Sequence, residues 1–388
     1  MQLNFLLPGL YHYQGGVQVY SRLLLDAVLQ VIPPASLRVL SMNDPQELLE
    51  PLRREGIRAT GFGDHGWPWR RPAFAATALR WSRAENISIV NWLTHLHFSP
   101  VAAWASRLER APFLVSAHGI EAWNIKSPMI RQSLDQADLI LPVSEFTRDV
   151  MKADLRLPEE AFEVLYNTFN PAEFVVQPKP PHLLSRYGLA ADAPVILTVS
   201  RLESSEQYKG YDQMLDVMRL VLAAVPGAKY ILVGRGDDLD RVTCSIKAKG
   251  LGDSVILAGF VPQEELPAHY ALCDVFAMPS KNEGFGIVFL EALSCGRPVV
   301  AGNKDASVNA LKNGELGLLV DPDDTNAIAE ATISVLKKTA ASPLLFDPDE
   351  LRRRVTGYFG QEAFRRHVRR ILGAYGFGQS LQACRAES

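Results

Sequence analysis

Short apolar runs alternate with longer stretches of helical period along the first half of the chain. The apolar runs predict strands at residues 2–7, 37–40, 57–60, 87–92, 113–117 and 139–143. The helical pattern predicts helices at residues 17–29, 45–54, 71–85 and 99–108, and another that begins at residue 145. This alternation is typical of a parallel sheet that is covered by helices on both faces.

The second half repeats the pattern after a break. Residues 167–181 contain four prolines, which is the composition of a linker. Alternation then resumes, with strands predicted at residues 195–200, 230–233, 255–257 and 275–278 and helices at residues 210–225 and 264–272. The sequence therefore predicts an α/β protein of two doubly wound domains that face each other across a cleft, with ligands bound at the carboxyl ends of the strands.

The segment 275–301 joins a strand, a glycine turn, a helix and a second strand. Gly284 and Gly286 permit a tight turn and a close approach of the backbone to a ligand. The helix predicted at 287–295 follows this turn directly. Because the free amides and the dipole of a helix N-terminus favour negative charge, the segment predicts an anion site.

Two carboxylates flank the predicted anion site. Glu283 precedes the helix and Glu291 lies in its second turn. Carboxylates accept hydrogen bonds from hydroxyl groups, which sugars and riboses carry in number. Either glutamate alone is more typical of a helix cap or a solvated face, but the pair together with the glycines favours a binding site.

Further candidate residues lie at the ends of other predicted strands. Arg201 and Lys209 follow the first strand of the second domain, where cations would neutralise a diphosphate leaving group. Gly15-Gly16 follows the first strand, as a phosphate-binding loop would. His118 follows the strand 113–117 and suits a polar contact in the cleft. Each has a structural alternative: surface charge for Arg201 and Lys209, a simple turn for Gly15-Gly16, and a core histidine for His118.

The sequence gives little support for a bound metal. His95 and His97 lie two residues apart without a third ligand nearby, so structural roles are favoured. Asp321 and Asp323 fall in a turn before a helix, outside the predicted cleft, and we assign them no metal.

Composition narrows the class of protein. The 388 residues carry a net charge of -3, which gives no case for nucleic-acid binding through bulk electrostatics. The apolar runs are too short to span a membrane, and the first residues lack the basic region of a signal peptide. The cysteines are spaced as reduced thiols of a cytoplasmic protein would be: Cys244, Cys273, Cys295 and Cys384.

Two surface segments have open interpretations. The loop 61–71 contains Trp67, Trp69, Arg70 and Arg71, which suit an acceptor or a peripheral contact at the inner face of a membrane, or alternatively an exposed loop with aromatic packing. The arginine-rich stretch 351–375 is helical in pattern. An acidic partner or membrane is possible for it, but a solvated basic helix that packs through its apolar residues is favoured.

Taken together, these motifs resemble a known family. The stretch from Glu283 to Glu291 resembles the E-x7-E motif of the GT-B retaining glycosyltransferases of family 4, and the resemblance covers nearly the whole chain. Weaker family motifs follow in the expected order: Gly15-Gly16-Val17, Ser116-Ala-His118-Gly, Leu141-Pro-Val-Ser144, Val164-Leu-Tyr-Asn167, Ser200-Arg201-Leu202 with Lys209-Gly210, Gly259-Phe260-Val261, and Asn313-Gly314 to Pro322.

The resemblance implies a GT-B fold of two Rossmann-like domains. It implies an acceptor-binding domain at residues 1–170, a nucleotide-sugar-binding domain at 171–360, and a helix within 361–388 that crosses back to the first domain. It also implies transfer of a sugar, with retention and without a required metal or other cofactor, to a glycan or lipid-linked acceptor. A UDP-sugar is the donor expected from family frequency.

The resemblance also implies roles for individual residues. The sugar of the donor would be held by Glu283 and by the backbone around Gly284, Phe285, Gly286, Ile287 and Val288. Glu291 would hold the ribose, and Phe260, Val261 and Gly234 would lie near the nucleotide. Arg201, Lys209 and the turn of Gly15 and Gly16 would take the diphosphate. His118 would contact the donor sugar near the reacting carbon.

The chain departs from the family pattern at two places. Residues 303–309 replace a Gly-Gly-x-Pro-Glu segment, and Asn170 stands where an aspartate is common. We expect both to lie away from the phosphate site and to affect acceptor or sugar preference. Two other functions remain open: a non-catalytic subunit that binds nucleotide or glycan within a transferase complex, and a GT-B sugar-nucleotide epimerase.

Overall fold

The computed structural model describes residues 1–13, 15–66, 68–83 and 87–377. The chain divides into two compact units, one formed by Met1–Thr168 with the chain from Gln361 onward, and the other by Phe169–Gly360. The division after Thr168 falls within the predicted linker. Trp67 and Cys384, which the sequence singled out, lie outside the described residues.

The first unit is built on a parallel sheet of six strands. The strands are β1 (Gln2–Leu7), β2 (Leu37–Ser41), β3 (Arg58–Gly61), β4 (Ile89–Leu93), β5 (Phe113–Ala117) and β6 (Leu139–Pro142). Its first six helices are α1 (Gly16–Leu29), α2 (Glu50–Arg54), α3 (Arg70–Ser82), α4 (Ser99–Glu109), α5 (Pro128–Leu134) and α6 (Glu145–Leu155). The central strands are buried along their length, as strands covered on both faces must be.

The second unit repeats this architecture. Its strands are β7 (Val195–Val199), β8 (Lys229–Val233), β9 (Val255–Gly259), β10 (Val275–Met278), β11 (Val299–Gly302) and β12 (Leu318–Val320). Its helices are α7 (Pro181–Tyr187), α8 (Tyr211–Ala224), α9 (Leu239–Ala248), α10 (Leu266–Leu272), α11 (Ile287–Ser294), α12 (Ser307–Ala310), α13 (Thr325–Leu336) and α14 (Pro348–Phe359). A core of aliphatic and aromatic side chains packs α8, α9 and α13 against the sheet.

Both sheets have the strand order of a Rossmann fold. The order is β3-β2-β1-β4-β5-β6 in the first unit and β12-β11-β10-β7-β8-β9 in the second. The order reverses between β1 and β4 and between β7 and β10, and ligands of such folds bind outside the carboxyl ends of these strands. The predicted α/β class with two Rossmann-like domains is confirmed.

The end of the chain forms two helices where the pattern at 351–375 predicted one. After α14, Gly360 takes an extended conformation and α15 (Gln361–Ala374) begins. A Cβ atom on Gly360 would lie 2.5 Å from the Thr356 carbonyl oxygen, so the close turn requires glycine. Helix α15 belongs to the first unit, where Phe364, Val368 and Ile371 are buried and the helix packs on α1.

Other predicted boundaries were wrong for local reasons. Residues 45–54 form a short 3-10 turn followed by only one turn of α-helix, and the two are separated at Pro51, which has no N–H to donate to the carbonyl of Glu47. Pro181 was assigned to the linker but begins α7. Proline is favoured at the first position of a helix, where its missing N–H has no partner to lose.

Within the described residues, no helix is both long and apolar enough to cross a bilayer. Cys273 and Cys295 are buried free thiols, and Cys244 is an exposed one.

Candidate active site

The glycine turn between β10 and α11 has the geometry that the sequence predicted. Gly286 adopts φ 90°, and a Cβ atom there would lie 2.3 Å from the buried ring of Phe289. Phe285 turns its side chain into the core against Phe359, with ring centroids 5.4 Å apart. Because the Phe285 side chain is buried, the turn presents its backbone rather than this side chain. Helix α11 begins at Ile287, so the first amide N–H groups of the helix point out of its N-terminus.

Lys209 and Glu283 are brought together from distant parts of the sequence. The Lys209 Nζ donates to Glu283 Oε2 at 2.5 Å, and both side chains are mostly buried. Burial alone would lower the pKa of the Lys209 ammonium, but the neighbouring Glu283 outweighs it and raises the pKa. Lys209 is therefore a fixed cation, with two of its three N–H groups left for another acceptor.

Arg201 contributes a second cation beside this pair. Its guanidinium contacts the buried carboxylate of Glu206 in the 3-10 helix that precedes α8. Partial burial raises the pKa of the Tyr208 phenol, which also interacts electrostatically with four charged neighbours: Lys209, Glu206, Glu283 and Arg201. These groups form one charged cluster beyond the carboxyl ends of β7 and β10.

Asp305 is a site residue that the sequence analysis missed. Residues 303–309 contact the residue expected to hold the donor sugar, because Asp305 Oδ2 accepts a hydrogen bond from the Glu283 backbone N–H at 2.7 Å. The same carboxylate accepts from Ser280 Oγ at 2.8 Å and from the Ser307 N–H at 2.9 Å. Burial raises its pKa to about 6, although these hydrogen bonds oppose the shift. The bond to Ser307 is an Asx turn, which Asp-Ala-Ser in the sequence could have suggested.

Asn170, the other departure from the family pattern, lies in a local turn. Its side chain accepts from the Ala172 N–H at 3.1 Å and donates to Glu173 at 2.7 Å.

Glu291 lies in a protected environment on α11. It is 8% exposed and its Oε2 accepts from the Tyr270 hydroxyl at 2.6 Å. Burial raises its pKa to about 7, against the effect of the Tyr270 hydrogen bond. A carboxylate that keeps one oxygen available in such a place suits a hydroxyl ligand.

The glycines after β8 serve close packing of the backbone. A Cβ atom on Gly234 would lie 1.8 Å from the Ser200 carbonyl oxygen, and one on Gly236 would lie 2.1 Å from the Leu202 carbonyl oxygen. After β9, Phe260 is 50% exposed and the Arg235 guanidinium lies 4.4 Å from its ring centroid. Val261 is buried beside it. The stacked pair forms a flat surface at the strand ends.

In the first unit, His118 is oriented by two contacts. Its Nε2 lies 2.7 Å from the Thr94 carbonyl oxygen, and its ring meets Tyr20 edge to face at 4.7 Å. Because a carbonyl can only accept, Nε2 carries a proton, and in the neutral ring Nδ1 is the acceptor. Gly119 follows with φ 138°, which the sharp turn requires.

Asp44 is a second residue that the sequence analysis missed. It is fully buried, and its carboxylate accepts from the backbone N–H groups of Leu10, Tyr11 and His12 at 2.6 to 2.9 Å. It therefore fixes the loop that follows β1. Gly15 caps α1 without a side-chain hydrogen bond, and Gly16 begins the helix.

The candidate metal residues have other contacts. His95 and His97 lie with ring centroids 4.6 Å apart. Asp321 and Asp323 pair with Lys304, and Asp323 also contacts Lys281. No group of three metal-binding side chains occurs in the part of the chain that the structure describes.

Comparison with known proteins identifies the class. The family model for glycosyl transferases group 1 matches residues 184–355, and the model for glycosyltransferase family 4 matches residues 15–173. Anabaena Alr3699/HepE in complex with UDP shares the fold, with a TM-score of 0.78 at 20% identity, covering 96% of this chain and 100% of that one. The likeness to this solved structure shows the GT-B fold. The two family models together match most of the chain, which belongs to glycosyltransferase family 4, as its motifs predicted.

Named relatives are similar over part of their length. GDP-mannose-dependent alpha-(1-6)-phosphatidylinositol monomannoside mannosyltransferase of Mycolicibacterium smegmatis is 33% identical over 256 residues, 63% of this chain and 63% of that protein. The protein of the same name from Mycobacterium tuberculosis is 32% identical over 253 residues, 61% of this chain and 64% of that protein. The chain thus aligns with less than two thirds of the length of these relatives.

Proposed function

We propose that this protein transfers a sugar from a nucleotide-diphosphate donor to a glycan or lipid-linked acceptor, with retention of the anomeric configuration and without a required metal. The observation that carries the proposal is the charged cluster of Arg201, Lys209 and Glu283 beside the glycine turn that begins α11. It occupies the position at which a Rossmann-like sheet binds its ligand.

In this proposal the second unit holds the donor. Arg201 and Lys209 neutralise the diphosphate as charge develops on it, together with the first amides of α11. Glu283 accepts from the sugar hydroxyls and Glu291 from the ribose. Phe260 with Arg235 offers a flat surface for the base. Cations and amides fixed before the reaction supply the charge stabilisation that a metal provides in other enzymes.

The first unit is proposed to contribute Gly15, Gly16 and His118. With Nε2 donating to Thr94, Nδ1 of His118 is the nitrogen that would accept from a hydroxyl of the donor sugar. This role predicts that His118→Gln lowers turnover more than it lowers affinity for the free nucleotide.

A UDP-sugar remains the proposed donor, with a GDP-sugar as the second candidate. The solved relative binds UDP, whereas the named sequence relatives use GDP-mannose. NMR measurement of the consumption of UDP-, GDP- and ADP-sugars by the pure protein separates these donors. Addition of EDTA to the same reaction tests metal independence, because turnover would stop if EDTA removed a metal that the reaction requires.

The site assignment is tested by nucleotide binding to variants. Arg201→Ala and Glu291→Ala should each weaken binding of the nucleoside diphosphate. The loss should be roughly tenfold or more for Arg201→Ala, which removes the charged contact to the diphosphate. Lys281→Ala is the matched control, since Lys281 pairs with Asp323 at the surface of the same unit. The assignment fails if neither Arg201→Ala nor Glu291→Ala binds nucleotide more weakly than the control.

The same assays separate the other functions. Nucleotide binding without turnover of any donor, with glycan and lipid acceptors present, would favour a non-catalytic subunit. Conversion of the donor to its epimer without an acceptor would favour an epimerase. A cytoplasmic location remains a prediction.

A further inference from the structure

A cavity of about 650 Å³ opens at the carboxyl edge of the sheet in the first unit. It is lined by residues that follow three strands, Pro8 after β1, Asn43 after β2 and His95 after β4. Helices α3 and α4 form its walls. The volume is that of a site for a small molecule.

The walls of this cavity are mostly apolar. Phe74 of α3 stacks on Phe98, with ring centroids 4.9 Å apart, and Val101 and Ile130 lie beside them. Met129 also lines the cavity and is 65% exposed. The apolar lining therefore continues from the interior of the cavity to the surface, so an elongated apolar ligand can enter without burying polar groups against it.

Arg70 and Arg71 both line the cavity, and Arg70 is held at its polar end. The Arg70 guanidinium donates to Asn43 Oδ1 at 3.3 Å, to the Gly63 carbonyl at 2.9 Å and to the His65 carbonyl at 3.3 Å. These acceptors are all neutral, and the described residues give Arg70 no carboxylate within ion-pair distance. A guanidinium has five N–H groups, so two remain after these three bonds. The charge is fixed in place and is not neutralised.

His95 adds a neutral donor at the same end. Its Nδ1 accepts from the His97 N–H at 3.2 Å, which leaves the proton of the neutral ring on Nε2. Burial lowers the pKa of His95 to about 4, so the ring is neutral at physiological pH.

We propose that this cavity binds the acceptor, and that the acceptor carries an anionic phosphate or carboxylate beside an apolar chain. Arg70 pairs with the anion, and the apolar chain lies along Phe74, Phe98 and Met129. This inference rests on the proposed function, since it names the substrate class of the same enzyme. It also makes Arg70, the first residue of α3, part of acceptor recognition.

The test measures acceptor binding without any donor present. Hexyl phosphate, inorganic phosphate and hexyl glucoside are titrated into the full chain and followed by ligand-observed NMR. The variants are Arg70→Gln, which removes the cation, and Ala75→Phe, which fills the apolar end from a lining position on α3. Arg80→Gln is the matched control, because Arg80 is exposed on the same helix and does not line the cavity.

The proposal predicts that hexyl phosphate binds more tightly than either other probe. Arg70→Gln should weaken its binding by roughly tenfold or more, as expected for loss of a charge-assisted hydrogen bond, and Arg80→Gln should leave it unchanged. Ala75→Phe should weaken binding of hexyl phosphate while nucleotide binding is retained, which shows that the variant is folded.

Four results would overturn the proposal. These are absence of hexyl phosphate binding, equal binding of hexyl glucoside, equal binding of inorganic phosphate, and equal effects of Arg70→Gln and Arg80→Gln. Equal binding of inorganic phosphate would identify a free anion as the ligand. Because no donor is present, these results are independent of whether the protein turns over a nucleotide sugar.

Discussion

The carboxylate of Asp305 is predicted to position Glu283 for the donor sugar. It accepts from the Glu283 backbone N–H, the Ser307 N–H and the Ser280 hydroxyl, and it is fully buried. In Asp305→Ala the two backbone N–H groups lose their acceptor, while the Ser280 hydroxyl is free to rotate. The segment before the glycine turn then keeps the backbone hydrogen bond from the Ala306 N–H to the Glu283 carbonyl, at 3.0 Å, but loses the Asp305 contacts that tie it to the loop after β11.

The size of the effect follows from two opposing contributions. Each buried N–H left without an acceptor costs about 1–3 kcal/mol. Removal of the buried carboxylate returns up to about 3 kcal/mol, since burial raises its pKa from 3.8 to about 6. With two such N–H groups the cost is about 2–6 kcal/mol and the return is about 3 kcal/mol, so we expect Asp305→Ala to destabilise the fold by at most about 3 kcal/mol. Displacement of Glu283 by about 1 Å should lower turnover by up to about 100-fold.

The assay compares turnover, nucleotide affinity and unfolding in one set of variants. Asp305→Ala should lower kcat with the sugar donor while the affinity for the free nucleoside diphosphate changes little, and Asp305→Asn should be intermediate. Asp323→Asn is the control, because its carboxylate is exposed and such pairs contribute about 0–1 kcal/mol. Equal kcat in Asp305→Ala and Asp323→Asn, or parallel losses of kcat and nucleotide affinity in Asp305→Ala, would refute this reasoning.

Three further predictions concern the same segment and its neighbours. Gly286→Ala should destabilise the protein by about 2–4 kcal/mol, because of its φ of 90° and the contact with Phe289, whereas Gly357→Ala within α14 should be neutral or stabilising in the same denaturant titration. The folded protein binds the Glu291 proton more tightly than the unfolded chain, so stability should fall as pH rises from about 4.5 to about 7, by up to about 3 kcal/mol relative to Glu291→Gln; melting curves from pH 4 to 8 that stay parallel would contradict this. Lys209→Met and Glu283→Gln each leave one partner of the mostly buried pair without the other, so each should destabilise the fold. The double variant should destabilise the fold by less than the sum of the two single effects, and additive effects in this double-mutant cycle would show that the pair is uncoupled.

Local signals in the sequence were sufficient for the glycine turn and the helix after it. Gly284, Gly286 and Pro298 set the ends of the elements around them, and their effects depend on backbone conformation within a few residues. The strand–helix alternation likewise predicted two Rossmann-like domains, because most of the strands are rich in apolar residues, as in β6 and β10. Helix α7 was missed because Pro181 has one meaning in a linker and another at the first position of a helix.

Contacts between distant residues could not be predicted in this way. Lys209 and Glu283 were identified separately, but their pairing across 74 residues follows from the adjacency of β7 and β10 in the sheet. Asp44 and Asp305 were missed because their partners lie on loops that follow other strands. A buried aspartate that organises such a loop has no periodic or compositional signature in a single sequence.

The most direct test of the proposed function is donor turnover by the pure protein in the presence of EDTA. The account predicts that one nucleotide sugar of the UDP, GDP and ADP panel is consumed when a glycan or lipid-linked acceptor is present, with release of the nucleoside diphosphate and retention at the anomeric carbon in the NMR spectrum of the product. Lys209→Met should abolish this release, and Lys281→Met should not. Inversion at that carbon, turnover that stops with EDTA, or equal release by Lys209→Met and Lys281→Met would contradict the account.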